Sequence, residues 1–213
     1  QSDPNYSCTY SPAWGSSGVI MKSRKIFSAL VAFAVAGITT FGAPNAVHAA
    51  ARTINVPDDA FETKLILLGY DTGALDNYVP FENIRDLTSL DLSNAQITDY
   101  EGLYYFSSLA TLNISGNTTV TSLSNASLPL PTKIRTVNLS GATQLTSLTI
   151  SGDYEIPLDL TSLTLTGNTA LTSLKITNTS LSAVDVSSFT ALTNLDLSRN
   201  KLTTLNVASN TAL

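Results

Sequence analysis

Leu192-Thr-Asn-Leu195-Asp-Leu197-Ser-Arg-Asn200-Lys-Leu202-Thr-Thr-Leu205-Asn-Val207-Ala-Ser-Asn210-Thr-Ala-Leu213 states one phrase twice and begins it a third time. The phrase is Leu-x-x-Leu-x-Leu, whose alternating end has the period of two that marks a strand with one buried face. Moving towards the N-terminus it recurs as Leu171-Thr-Ser-Leu174-Lys-Ile176, Leu160-Thr-Ser-Leu163-Thr-Leu165, Ile134-Arg-Thr-Val137-Asn-Leu139, Leu109-Ala-Thr-Leu112-Asn-Ile114 and Leu87-Thr-Ser-Leu90-Asp-Leu92. Weaker copies start at Val120, Leu145, Leu181 and Leu202. The late copies start at 160, 171, 181, 192, 202 and 213, so two of them make a turn of 21 residues, and the earlier turns run 22, 25 and 26.

A repeat of this length cannot bury its apolar side alone, and stacking it on its neighbours places Leu90, Leu112 and Val137 in one column. The expected fold is therefore a solenoid of parallel strands. Asn117, Asn168 and Asn200 stand three residues beyond a strand, where an amide can satisfy the backbone of a buried bend. Two inserts, Ser127–Pro131 and Gly152–Pro157, lengthen turns and are expected to bulge on one side of the coil. The segments Ala95-Gln-Ile97 after Leu87 and Asn200-Lys-Leu202 after Leu192 share the spacing of a principal strand but belong to opposite members of the alternating series. A slip of register between them is expected.

These motifs are those of leucine-rich repeats. The passage from Thr53 to Asn117 resembles the N-terminal part of bacterial secreted leucine-rich-repeat proteins of the internalin-like class, and Leu192–Leu213 is similar to their 21–22-residue repeats. The resemblance implies an α/β solenoid with parallel β-strands and a short N-terminal helical cap, acting without catalysis as a binding or adhesion module for a protein or a glycan. Alternatives are a structural stalk and the non-catalytic part of a polysaccharide-active enzyme.

The N-terminal region carries the address. Met21-Lys-Ser-Arg-Lys25 is a basic opening, Ile26–Ile38 is an apolar run, and Val47-His-Ala49 has small residues at cleavage spacing, the three parts of a secretory signal peptide. The run breaks after 13 residues, short of the roughly 20 that span a bilayer. The expected organisation is an upstream segment over 1–20 outside the mature protein, a signal peptide over 21–49, a cap over 50–86, and repeats over 87–213 that stop at the first residue of a new copy. The location is then secreted or cell-surface. Cys8, Trp14, Met21 and His48, each the sole residue of its type, all precede cleavage. Histidine- or cysteine-based catalysis, cysteine or histidine metal sites and disulfides are thereby excluded from the mature chain. Lys22, Arg24, Lys25 and Asp3 are lost from 11 bases and 16 acids, leaving 8 and 15, a formal charge of -7. Affinity for nucleic acid is not expected, nor membrane insertion, and the protein is expected to be monomeric, with no cofactor and no metal.

In the cap, Asp59 and Glu62 suggest a capping box, and Phe61, Leu65 and Leu68 one apolar helix face ended by Gly69. Asp71, Asp76, Asn77 and Glu82 in the link match a calcium loop poorly. Asp153, Glu155 and Asp159 are the densest acids in the repeats, and paired carboxylates can hydrolyse glycosides, but these lie in a single insert and are read as a solvated loop. Phe106, three residues before Leu109, is core, as are Phe189 before Leu192 and Ile84 before Leu87. Tyr104 and Tyr105 are left for partner contact or for packing under the cap. The outward strand positions include Asp91, Asn113, Asn138, Lys175 and Asp196, taken with the two tyrosines as candidate binding residues on one extended face. A wet strand surface of Ser and Thr is the competing explanation for that ladder.

Overall fold

The computed structural model describes residues 52–213; the stretches expected to be an upstream segment (1–20) and a signal peptide (21–49) lie outside the described residues. Strand β1 (Thr53–Asn55) is joined through helix α1 (Asp59–Leu67) to an antiparallel partner, β2 (Tyr78–Pro80), with Ile54 opposite Val79, and the short helix α2 (Phe81–Ile84) follows. The capping residue of α1 is Asp58 and not Asp59. Asp58 is extended, and its Oδ1 accepts the Phe61 N–H at 2.9 Å, the third-residue spacing that a cap requires. Glu62 closes no capping box: it is fully buried and accepts the N–H groups of Asp76 and Asn77 at 2.9 and 3.0 Å, folding the link back onto the helix. Phe61 and Leu65 are buried as the apolar face requires, whereas Leu68 has passed the last helical turn and is 39% exposed. Phe61 lies 6.3 Å from the ring of Tyr100 and 6.2 Å from that of Phe106, so α1 covers the first coil with aromatic area.

Eight short strands follow: β3 (Ser89–Asp91), β4 (Thr111–Asn113), β5 (Ser122–Leu123), β6 (Thr136–Asn138), β7 (Ser147–Ser151), β8 (Ser162–Thr164), β9 (Ser173–Thr177) and β10 (Asn194–Asp196). They form two parallel four-stranded sheets, β3-β4-β6-β8 and β5-β7-β9-β10. The expected register slip does not occur. Copies starting at 87, 109, 134 and 160 feed the first sheet and those at 120, 145, 171 and 192 the second, so the alternating series are two sides of the same coil. Leu90, Leu112, Val137 and Leu163 pair in one column, and Leu123, Leu148, Leu174 and Leu195 in the other. Both columns run through the core, each fully buried leucine contributing about 2 kcal/mol of transfer free energy. The copies at Leu181 and Leu202 form no strand, and Leu205 and Val207 are exposed.

Polar residues hold the coils in step. Thr146, Thr172 and Thr193 each donate both backbone N–H and Oγ1 to the carbonyl of the equivalent threonine one coil earlier, at 2.8–3.1 Å. After the first sheet the bend needs a left-handed residue in every coil, filled by Asn94 (φ 56°), Gly116 (φ 68°), Gly141 (φ 73°) and Gly167 (φ 85°). The first three of these donate their N–H to the next coil at 2.8 Å. The asparagines act as the sequence suggests. Asn117 Nδ2 donates to Ile97 O and Tyr100 Oη, Asn200 Nδ2 to Ile176 O and Leu197 O, and Asn168 Oδ1 accepts the N–H of Ala142.

Candidate functional site

The outward ladder divides when the coil closes. Asp91, Asn113 and Asn138 stand in register on the first sheet, while Lys175 and Asp196 are neighbours on the second. The single extended face expected from sequence is therefore two faces, because alternate copies of the motif enter different sheets.

Most of these residues already have structural work. Asp91 Oδ1 accepts the N–H of Ser93, Asn113 Oδ1 that of Ser115, Asn138 Oδ1 that of Ser140 and Asp196 Oδ1 that of Ser198, each closing the bend two residues on. Asp185 does the same with Ser187. The hydrogen bonds from the serine hydroxyl and backbone hold the carboxyls of Asp91, Asp185 and Asp196 below the ordinary aspartate range. The Asp/Asn-x-Ser spelling thus records a turn requirement. Asn113 Nδ2 also reaches Asp91 Oδ1 at 3.1 Å, tying adjacent coils.

The tyrosines separate by environment. Tyr100 is buried, and desolvation pushes its hydroxyl up to about 12 even though it accepts from Asn117 at 2.7 Å. Phe106, Phe189 and Ile84 are core, as their spacing implies. Tyr104 and Tyr105 emerge from a short 3₁₀ turn, Leu103–Tyr105, and are 59% and 41% exposed, their rings edge to face at 6.1 Å. The guanidinium of Arg52 lies 4.4 Å from the ring of Phe81 and 6.0 Å from that of Tyr105. Tyr104 also lines a cleft of 380 Å³ bounded by Leu128, Pro129 and Leu130 of one insert and Gly152, Asp153 and Ile156 of the other. The two inserts therefore do bulge on one side.

The other polar clusters disperse. Asp159 pairs with Arg135 at 3.0 Å and Asp153 Oδ1 caps its own bend at the Glu155 N–H, so two of the three acids Asp153, Glu155 and Asp159 are committed to structural partners. In the cap link, Asp76 Oδ1 accepts the Tyr78 N–H and Glu82 pairs with Arg85 at 2.8 Å. Among the described residues no group of three or more His, Cys, Asp or Glu is placed to hold a metal ion. No helix among them is long and apolar enough to cross a membrane.

A cleft that sequence reading missed lies on the second sheet. It measures 480 Å³ and is lined by Tyr154, Lys175, Thr177, Asn178, Asp196, Ser198 and Arg199 beside Gly152. Lys175 and Asp196 pair across β9 and β10 at 3.5 Å, and Arg199 lies 4.6 Å from the centre of the Tyr154 ring. Tyr154 and Arg199 escaped notice because neither occupies a strand position; only folding brings the insert over the bend of the next two coils.

Parallel coils with paired leucine columns and asparagine-pinned bends define a leucine-rich-repeat protein. Residues 81–208 match the family described as the endo-beta-N-acetylglucosaminidase EndoS LRR domain, and the chain belongs to that family. Among solved structures it is similar to the functional domain of InlJ from Listeria monocytogenes, which includes a cysteine ladder, at 24% identity over 76% of this chain and 46% of that one, with a TM-score of 0.25. The chain thus spans less than half the length of that relative. It is also similar to internalin C2 of the same species (16% identity, 74% of this chain, 91% of that one, TM-score 0.30) and to its internalin InlF (15% identity, 78% and 84%, TM-score 0.26). No curated protein matches the chain.

Proposed function

We propose that this chain is a secreted or cell-surface, non-catalytic binding module that recognises a protein or a glycan through its repeat surface and serves adhesion. Residues 21–49 direct export in this reading, 50–86 cap the coil and 87–213 carry recognition. The observation that carries it is the exposed Tyr104–Tyr105 pair beside Arg52. Amphipathic aromatics with a neighbouring guanidinium are the residue types that anchor interfaces, and here they adjoin a cleft walled by both inserts.

The test is a pull-down and glycan-array screen with the folded chain, followed by the double variant Tyr104→Ala/Tyr105→Ala. Saturable binding that falls roughly tenfold or more in the variant, with thermal melting unchanged, is the expected result. No binding by folded, monomeric protein would overturn the reading in favour of a stalk. A second reading draws on the family description, which names an endo-beta-N-acetylglucosaminidase: the coil would then be the accessory, non-catalytic part of a glycan-active enzyme. Glycan binding without protein binding favours it.

A further inference from the structure

We infer that the cleft on the second sheet is a saccharide site selective for carboxylate-bearing oligosaccharides, with Tyr154 as the stacking platform and Arg199 and Lys175 as the carboxylate contacts. The inference rests on the binding-module reading and names a ligand class for a surface separate from Tyr104 and Tyr105.

The wall of the cleft is fixed before any ligand arrives. Gly152 follows β7 directly and donates its N–H to Thr177 O at 3.0 Å, and the insert returns through Leu158 N–H to Asn178 O at 3.1 Å. Asn178 Nδ2 donates to Asp153 O, holding the turn from the neighbouring coil. A Cβ at position 152 would run into the Asn178 carbonyl and sit 2.6 Å from Leu158 N, so only glycine allows the insert to lie this close to the next coil. Tyr154 is presented from this anchored wall with three quarters of its surface exposed. An aromatic ring so presented, with Arg199 against it at 4.6 Å, can stack on the apolar C–H face of a pyranose.

The floor supplies the polar half. Thr177, Asn178 and Ser198 line it; the Thr177 hydroxyl bonds Ser151 and one Asn178 amide hydrogen bonds Asp153 O, which leaves the second Asn178 N–H and the hydroxyl lone pairs to meet sugar hydroxyls. The charge balance selects the class of saccharide. The chain from Arg52 onward carries 15 acids against 8 bases, yet this cleft holds two cations against one carboxylate. Asp196 is shared between Lys175 and the Ser198 bend, and among the described residues Arg199 forms no ion pair, resting only against Tyr154. A guanidinium so placed can donate two N–H bonds to a carboxylate in bidentate fashion.

Isothermal titration of the full chain with galacturonate hexamer and with sialyllactose, against maltohexaose and chitohexaose as neutral probes, tests this. At least one carboxylated probe is expected to bind, more weakly as salt is raised. Tyr154→Ala and Arg199→Gln are each expected to lower its affinity roughly tenfold, Tyr154→Phe to retain it, and Tyr104→Ala/Tyr105→Ala to leave it unchanged, all with wild-type melting. Carboxylated probes that bind no better than neutral ones, or that bind undiminished to Arg199→Gln, overturn the proposed specificity and leave the binding-module reading standing. Failure of every saccharide overturns this site; failure of protein partners as well overturns the broader reading.

Discussion

Asp58 uses its two carboxylate oxygens in two directions: Oδ1 caps α1, while Oδ2 accepts the Thr98 N–H and Oγ1 and the Asp99 N–H at 2.8–3.1 Å, joining the cap to the first coil. Partial burial acts to raise its pKa, but the hydrogen bonds from Thr98, Phe61 and Asp99 outweigh it and hold the carboxyl below the ordinary range. A lowered folded pKa gives stability that is present above the unfolded value, about 3.9, and is lost as pH falls through the folded value. The melting temperature should therefore fall as pH drops below about 4, and Asp58→Ala should flatten that slope and cost about 2 kcal/mol at neutral pH by denaturant titration. Tyr100 gives the opposite limb. Its neutral form is favoured by burial, so its contribution holds below the unfolded value of about 10 and fades as pH rises through about 12. Tyr100→Phe removes one acceptor from Asn117 and should cost about 1 kcal/mol, with a smaller stability loss between pH 10 and 12 than in the parent. Sequence spacing made Phe106 legible as core, but it could not choose between Asp58 and Asp59 as the cap: adjacent acids spell the same signal, and the partner at Thr98 lies 40 residues away.

At the level of the element, the threonine column shows why so few charges suffice. Each of Thr146, Thr172 and Thr193 spends its hydroxyl on the previous coil, so residues that look like generic wet surface in one dimension are joints in three. Thr172→Val keeps the β-branched shape and removes one such bond. It should cost about 1 kcal/mol in denaturant unfolding, whereas Ser173→Ala, at the start of the strand that follows, should change stability by less than about 0.5 kcal/mol. Equal losses would mean that strand propensity rather than inter-coil bonding selects threonine. The insert is a second element-scale case. Gly152→Ala has no room at the Asn178 carbonyl and should displace the insert, read as faster hydrogen exchange at the Leu158 N–H that anchors it to Asn178 O and about 2 kcal/mol of destabilisation.

For the whole coil, stability is close to a sum over neighbours, since each copy touches only the ones above and below. Leu148→Ala, in the middle of the second sheet and fully buried, should cost about 3 kcal/mol. Hydrogen exchange should quicken most in β5 and β9, which flank it; uniform quickening across both sheets would mean that the coil opens as one unit. The cap belongs to this scale as well. Phe61→Ala uncovers the Tyr100 and Phe106 rings and should cost about 4 kcal/mol, with exchange rising first in β3 and β4.

Periodicity alone determined the solenoid, the leucine columns and the asparagine bends, because a fixed repeat forces every coil to meet the same neighbours and a local pattern then specifies a global one. The tertiary structure alone decided that the alternating copies belong to two sheets, which dissolved the apparent slip and split the candidate face between Asn138 and Lys175. It also decided which polar side chains are committed to bends and which, like Arg199 beside Tyr154, are brought together from an insert and a later coil. Contacts of that kind depend on how far an irregular loop reaches across its neighbours, and no repeat spacing encodes that distance.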